Sequence, residues 1–66
     1  MKLTVNGKEA EAIDGMTVEA LIKERRLDGA CIVVEYNNRI LKRDEWETVV
    51  LKPQDILEII SFVGGG

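Results

Sequence analysis

The chain has 66 residues, of which 45% are apolar and 32% are charged, and its net charge at pH 7 is −3. A chain this short folds as one small domain and has no room for an enclosed substrate pocket of ordinary size, about 300 Å³ or more. The negative charge, and the lack of a basic cluster with interleaved aromatic residues, argue against nucleic-acid binding.

The N-terminal sequence MKLTVNGKEA does not resemble a signal peptide, because it lacks a long apolar stretch and a small-residue cleavage site. No segment approaches the roughly 20 apolar residues that cross a membrane. The single cysteine, Cys31, cannot form an internal disulfide. We therefore expect a cytoplasmic protein that does not associate with a membrane.

The first half of the chain predicts a β-hairpin and then a helix. Residues 2–6 alternate between polar and apolar, Asn6-Gly7 is a strong hairpin-turn sequence, and a second strand is predicted from Lys8 to Ile13. The helix should be capped by Thr17 and have Arg25 and Arg26 in its last turn, where positive charge suits the helix dipole. Its apolar positions fall at helical spacing: Val18, Leu21 and Ile22.

We predict that Gly29 ends the helix in a left-handed conformation. Residues 31–36, CIVVEY, form a buried strand, and a turn at Asn37-Asn38 leads into a short returning strand at residues 39–41. Residues 42–47 are interpreted as a loop with one helical turn, fixed by Trp46. Residues 48–51 form a short strand or an extended connection.

The last strand, residues 56–62, has apolar residues on both faces. We place Leu57 and Ile59 in the core, because that leaves charged Glu58 outside together with Ile60 and Phe62. Exposed apolar residues in a group often mark a partner surface; ordinary burial against a neighbouring loop is the alternative. The element order predicts an α+β fold in which one helix packs across one face of a mixed sheet.

Little in the sequence predicts catalysis by the chain itself. Histidine is absent, which excludes a Ser-His-Asp arrangement and removes the usual activator of a cysteine nucleophile. Cys31 is interpreted as a small core residue, and the scattered carboxylates as solvated surface. Clustered metal ligands are also absent from the sequence.

The glycines Gly64, Gly65 and Gly66 are the feature that this pattern leaves unexplained. A frayed chain end is the simplest interpretation. As a terminal residue, however, Gly66 would carry an ionised carboxylate that a nucleotide could activate as a mixed anhydride. Residues 63–66 would reach at most about 14 Å and could enter a narrow active-site channel.

Four segments carry a family resemblance: KLTVNGKE, GMTVEALI, VVEYNNRILKRDEW and the closing LKPQDILEIISFVGGG. Together they cover essentially the whole chain, which resembles the ThiS family of bacterial sulfur carrier proteins. The resemblance implies a β-grasp (ubiquitin-like) fold, with a domain at residues 1–62 and a flexible glycine tail at residues 63–66.

The resemblance also implies a functional cycle. An adenylyltransferase (ThiF-like) would use ATP and Mg²⁺ to adenylate the carboxylate of Gly66. A persulfide supplied by a cysteine desulfurase would convert it to a thiocarboxylate, and a thiazole synthase (ThiG-like) would take the sulfur for thiamine. Gly64 and Gly65 would thread the partner's channel, and Glu58, Ile60 and Phe62 would form the docking face. The protein itself would be no enzyme and would bind no cofactor or metal.

Three other functions stay open at this point. A sulfur carrier of molybdopterin synthesis would share the chemistry, although such proteins are usually longer. A ubiquitin-like modifier would instead form isopeptide bonds with target lysines. A small structural interaction domain would have an incidental glycine tail.

Overall fold

The computed structural model describes residues 1–62. The helix and strands have these bounds: β1 Lys2–Val5, β2 Lys8–Glu11, α1 Val18–Glu24, β3 Ile32–Tyr36, β4 Arg39–Leu41 and β5 Ile56–Ser61. Single 3₁₀ turns at Gly29–Cys31 and Arg43–Glu45 lie in the connections.

The five strands form one mixed sheet in the order β2-β1-β5-β3-β4. The last strand, β5, lies at its centre, parallel to β1 and antiparallel to β3. Helix α1 packs its buried residues into the core on one side of the sheet. The predicted α+β arrangement is therefore confirmed, and the strand at the centre of the sheet is the one that leads to the C terminus.

Both hairpin turns have asparagine at the first central position. The φ angles are 52° at Asn6 and 79° at Gly7, and 48° at Asn37 and 71° at Asn38. Positive φ at both central residues defines the type I′ turn, whose twist matches that of the flanking strands. The two asparagine side chains also bind β5, because Oδ1 of Asn6 accepts from the Ile59 amide at 2.7 Å and Oδ1 of Asn37 from the Ile56 amide at 2.8 Å. The turns thus help to fix the position of β5.

Helix α1 begins as predicted and ends earlier. Oγ1 of Thr17 accepts a hydrogen bond from the Ala20 amide at 3.1 Å, which confirms the cap. The prediction that Gly29 is the left-handed residue is wrong: Arg26 takes that conformation, with φ 58°, and Gly29 begins a 3₁₀ turn. The helix consequently stops at Glu24, so Arg25 and Arg26 lie beyond its last turn.

The physical reason for this early end is the packing of Leu27. The Arg26 amide donates to the Lys23 carbonyl at 3.0 Å and the Leu27 amide to the Ile22 carbonyl at 3.2 Å, which is the Schellman pattern. The left-handed conformation of Arg26 turns the chain so that Leu27 packs against the core, where it is half-buried. A tertiary contact therefore imposes a left-handed conformation on an arginine.

Within residues 1–62, the core contains thirteen buried apolar residues, which come from the sheet, the helix, Ala12 after β2 and the connection between β4 and β5. Trp46 is 3% exposed, so it fixes its loop as predicted. Residues 48–51 form a connection rather than a full strand: Thr48 lies in a turn, and Val50 makes one isolated bridge with Thr17. Within residues 1–62, no helix is long and apolar enough to cross a membrane.

Candidate functional site

The apolar side chains on one face of strand β5 are buried, and the side chains on the other face are partly exposed to solvent. Leu57 and Ile59 are 0% and 8% exposed and belong to the core. Ile60 and Phe62 are 55% and 49% exposed, and Glu58 is half-buried on the same side. The predicted orientation of these residues is confirmed. It follows from strand alternation, which sends successive side chains to opposite faces.

Four neighbours of these residues were not predicted as part of the site. On β3, Val33 lies opposite Ile60 and Glu35 lies opposite Glu58 of β5. On β4, the other neighbour of β3, Ile40 lies opposite Glu35. Ile56, two residues before Glu58, is also exposed. We call the resulting surface the outer face, and it consists of Val33, Glu35, Ile40, Ile56, Glu58, Ile60 and Phe62.

Sequence reasoning missed Val33, Glu35 and Ile40 because it did not assign which strands pair, whereas Ile56 follows from the alternation along β5. One local signal would have found Ile40. The two-residue turn at Asn37-Asn38 places Arg39 opposite Tyr36, and that register puts Ile40 opposite Glu35. The neighbourhood of Glu35 and Glu58 has no such local signal, since β3 and β5 are far apart in sequence.

The outer face exposes several large apolar side chains to solvent. Its four most exposed apolar side chains are each about half exposed or more: Ile40, Ile56, Ile60 and Phe62. Isolated apolar residues are common on protein surfaces, whereas a contiguous group often marks a binding site. The face therefore has the character of a protein-binding surface.

The chain leaves the described structure beside a short loop. The Phe62 amide donates to the Cys31 carbonyl at 2.9 Å, which fastens the end of β5 to the turn at Gly29–Cys31. Asp28 stabilises that turn, because its Oδ1 accepts from the Ala30 amide at 3.0 Å. The predictions for Gly64, Gly65 and Gly66 lie outside the described residues.

Cys31 lies in this loop, whereas the sequence predicted that it would begin the strand; β3 begins at Ile32. Its side chain is half-buried, and its Sγ is 3.7 Å from Oδ2 of Asp28. The side-chain contact of Cys31 is thus with a carboxylate, whereas cysteine nucleophiles are activated by a histidine or another cation. The arrangement favours a structural part for Cys31.

Asp55 is the one buried charged residue among those described, at 7% exposure. Its carboxylate accepts hydrogen bonds from the Tyr36 hydroxyl at 2.5 Å, the Lys52 amide at 2.7 Å and Nδ2 of Asn37 at 3.1 Å. Burial by itself would raise the pKa of Asp55, but these hydrogen bonds outweigh it and hold the pKa below its ordinary value. The group anchors the start of β5 and is fully occupied by structural contacts.

Two depressions lie away from the outer face. A cavity of about 140 Å³ adjoins Trp46 and Arg43. The buried indole N–H of Trp46 has no hydrogen-bond partner within residues 1–62, and the guanidinium of Arg43 is 5.3 Å from the indole centroid. A more open depression of about 440 Å³ adjoins Glu11, Ile13 and Glu24. Residues 1–62 contain no group of three or more potential ligands that could hold a metal ion.

The family model that matches the chain is described as the ThiS family, and the match spans residues 3–66. The sulfur carrier protein ThiS of Bacillus subtilis is 34% identical over 65 residues, which cover 97% of the chain and 98% of that protein. A thiazole synthase of Paramagnetospirillum magneticum is 41% identical over the whole chain, which spans only 20% of that relative's length.

A solved structure gives the same result for the fold. The crystal structure of the thiamine biosynthesis protein ThiS from Geobacter metallireducens superposes with a TM-score of 0.86 at 30% identity, and the match covers 100% of both chains. The β-grasp fold implied by the resemblance is thereby confirmed. Because the family match spans nearly the whole chain and includes its glycines, the chain belongs to the ThiS family.

Proposed function

We propose that the protein is a sulfur carrier of thiamine biosynthesis and that it carries sulfur as a thiocarboxylate on Gly66. The observation that supports this most directly is the family match over residues 3–66, which includes all three closing glycines. The full-length relative named as a sulfur carrier supports the same function.

The proposed chemistry begins with a poor electrophile. The carboxylate of Gly66 attacks the α-phosphorus of ATP in the adenylyltransferase, pyrophosphate leaves, and an acyl-adenylate forms. A persulfide then attacks the acyl carbon and displaces AMP, which gives an acyl disulfide. A second thiol cleaves its S–S bond and leaves the thiocarboxylate, whose sulfur passes to the thiazole synthase. Both enzymes act on the protein, which contributes the acyl group and the surface that they recognise.

The end of β5 constrains where partners bind. Phe62 is held to Cys31 at the edge of the described domain. Residues 63–66 span at most about 14 Å when fully extended. A partner that acts on Gly66 must therefore place its active site within this distance of Phe62. The outer face, which includes Phe62, is the apolar surface closest to that point, and we propose it as the docking face.

The thiazole synthase is proposed as a partner on a further observation. A protein named thiazole synthase contains a segment similar to the entire chain, within a length about five times greater. Joining two proteins in one chain raises their effective concentration for each other. Such an arrangement is consistent with direct transfer between the two.

Intact-mass measurement tests the proposal. The protein is incubated with its adenylyltransferase, ATP, Mg²⁺, cysteine and a cysteine desulfurase. We expect one oxygen to be replaced by sulfur, with the modification located on Gly66 by fragmentation. The mass of the untreated protein also establishes whether Gly66 is the last residue.

The matched control is a variant that lacks Gly65 and Gly66. We expect this variant to keep its melting temperature and to gain no sulfur. Sulfur gain by the shortened chain would contradict the proposal. Attachment of Gly66 to lysine side chains, without thiocarboxylate, would instead indicate a protein modifier.

A further inference from the structure

We infer that the thiazole synthase partner presents an arginine or lysine within an apolar surface, and that this side chain binds between Glu35 and Glu58 at the centre of the outer face. The inference rests on the proposed function, because it names the chemistry of the surface that receives the carrier. It goes beyond that function by assigning a specificity determinant to two residues of this chain.

The first observation is the register of the two glutamates. Glu35 on β3 and Glu58 on β5 lie directly opposite each other. Side chains at such positions stand about 4.5–5.5 Å apart at Cβ, and like charges directly opposite destabilise a sheet. The register therefore places two side chains of like charge next to each other on the outer face, and we expect their repulsion to cost stability in the free protein.

The second observation is that neither glutamate is neutralised within residues 1–62. The side-chain ion pairs there join Lys2 to Glu9 at 3.2 Å and Arg39 to Glu45 at 3.6 Å. The N-terminal ammonium lies 3.8 Å from Glu11. None of these ion pairs includes Glu35 or Glu58, so the pair is open to a cation from outside.

The third observation is the apolar surroundings of the pair. Ile40 lies opposite Glu35, and Ile56 and Ile60 flank Glu58 along β5. A partner that covers these isoleucines must also cover the carboxylates between them. Burying a charge without a partner is costly, so an entirely apolar surface would bind poorly here.

A guanidinium group meets these requirements well. It offers five N–H donors in a planar arrangement and is more weakly hydrated than an ammonium group. One guanidinium between the glutamates would hydrogen-bond to both and remove their mutual repulsion. Charge complementarity of this kind sets the register of an interface and suppresses binding of wrong partners.

The test compares two variants that have the same net charge. Binding to the purified thiazole synthase of the same organism is measured by calorimetry for wild type, for Glu35→Gln/Glu58→Gln, and for a control, Glu24→Gln/Glu47→Gln. Both control positions are exposed and lie outside the outer face. We expect the outer-face variant to bind roughly ten- to hundredfold more weakly, and the control to bind within about twofold of wild type.

Two further measurements separate recognition from a structural part. The wild-type affinity should fall more steeply with salt than that of the outer-face variant. The melting temperature of the free outer-face variant should equal or exceed that of wild type, because the like-charge repulsion is gone. Lower stability of that variant would point to a structural role and contradict the inference.

The outcomes also distinguish this inference from the proposed function. If wild type gains sulfur and binds thiazole synthase, but the outer-face variant binds equally well, the inference is wrong and the function stands. If wild type neither gains sulfur nor binds, both are wrong. If the glutamates are needed only for binding to the adenylyltransferase, or only for self-association of this chain, the choice of thiazole synthase as the partner is wrong.

Discussion

The carboxylate of Asp55 joins the end of β3 and its turn to the segment that precedes β5. It accepts hydrogen bonds from Tyr36 in β3, from Asn37 in the following turn and from the amide of Lys52. Its backbone carbonyl also accepts from the Thr4 amide at 2.9 Å. Burying a charge is favourable only when its hydrogen-bonding capacity is used, and here it is used by three donors.

This cluster predicts stability that is lost at both ends of the pH scale. The folded protein holds the pKa of Asp55 below its unfolded value of about 3.9. The carboxylate therefore stabilises the fold above that unfolded value, and the contribution disappears as the pH falls through the lower, folded pKa. Burial, together with the hydrogen bond and charge of Asp55, raises the pKa of Tyr36 to about 12. Its contribution is present below about pH 10 and disappears as the pH rises through about 12.

Melting temperature measured against pH checks both limbs. Asp55→Asn should remove the acid limb and cost about 1–3 kcal/mol at neutral pH, because an amide N–H₂ would replace an acceptor that faces three donors. Tyr36→Phe should remove the alkaline limb and also weaken the acid limb, because the Tyr36 hydroxyl is one of the donors that lower the pKa of Asp55. The control Asp44→Asn changes an exposed carboxylate and should leave both limbs in place. Equal acid limbs in wild type and Asp55→Asn would show that another group governs acid unfolding.

At the scale of an element, the end of α1 carries a conformational strain. Arg26 has φ 58°, in the left-handed region that costs an ordinary L-residue roughly 1–2 kcal/mol. The Schellman hydrogen bonds and the packing of Leu27 keep it there. Glycine is the usual residue at this position because it adopts the conformation without a Cβ clash.

We therefore expect Arg26→Gly to stabilise the protein by about 0.5–1 kcal/mol, after allowance for the greater freedom of glycine in the unfolded chain. The matched control is Arg25→Gly, one residue earlier, where φ is −82° and an L-residue is unstrained. That change should destabilise by up to about 1 kcal/mol. Urea unfolding of both variants measures the difference. Destabilisation by both substitutions to the same extent would refute the argument from φ.

At the scale of the whole molecule, β5 links stability to recognition. One side of this central strand fills the core between sheet and helix, and the other side forms much of the outer face. A domain of this length has a total stability of roughly 3–10 kcal/mol. The loss of one large core residue can therefore unfold most of the population.

Two truncations on β5 test this division. Leu57→Ala, at a position that is 0% exposed, should cost about 2–5 kcal/mol. Ile60→Ala, at 55% exposure, should change stability by less than about 1 kcal/mol and should weaken binding to the thiazole synthase. Unfolding by urea and binding by calorimetry measure the two effects. Comparable losses of stability would contradict the assignment of Ile60 to a free surface.

The sequence by itself determined the features that depend on neighbours in the chain. Asn6-Gly7 and Asn37-Asn38 specify type I′ turns, because their residue types tolerate positive φ at both central positions. Thr17 specifies the start of α1 because its side chain accepts a hydrogen bond from Ala20, which is only three residues later in the chain. Alternation along β5 assigns Leu57 to the core and Ile60 to solvent, because a strand has a period of two.

Only the tertiary structure decided the features that require distant segments to meet. The end of α1 depends on where Leu27 packs, which is why a signal as local as Gly29 gave the wrong residue. The pairing of Glu35 with Glu58 depends on the register of β3 against β5, strands separated by about twenty residues of connecting chain. The alternation of side chains along a strand is a local property of the backbone, whereas the register between strands is set by the packing of the whole core. The composition of the outer face is therefore decided only in the folded molecule.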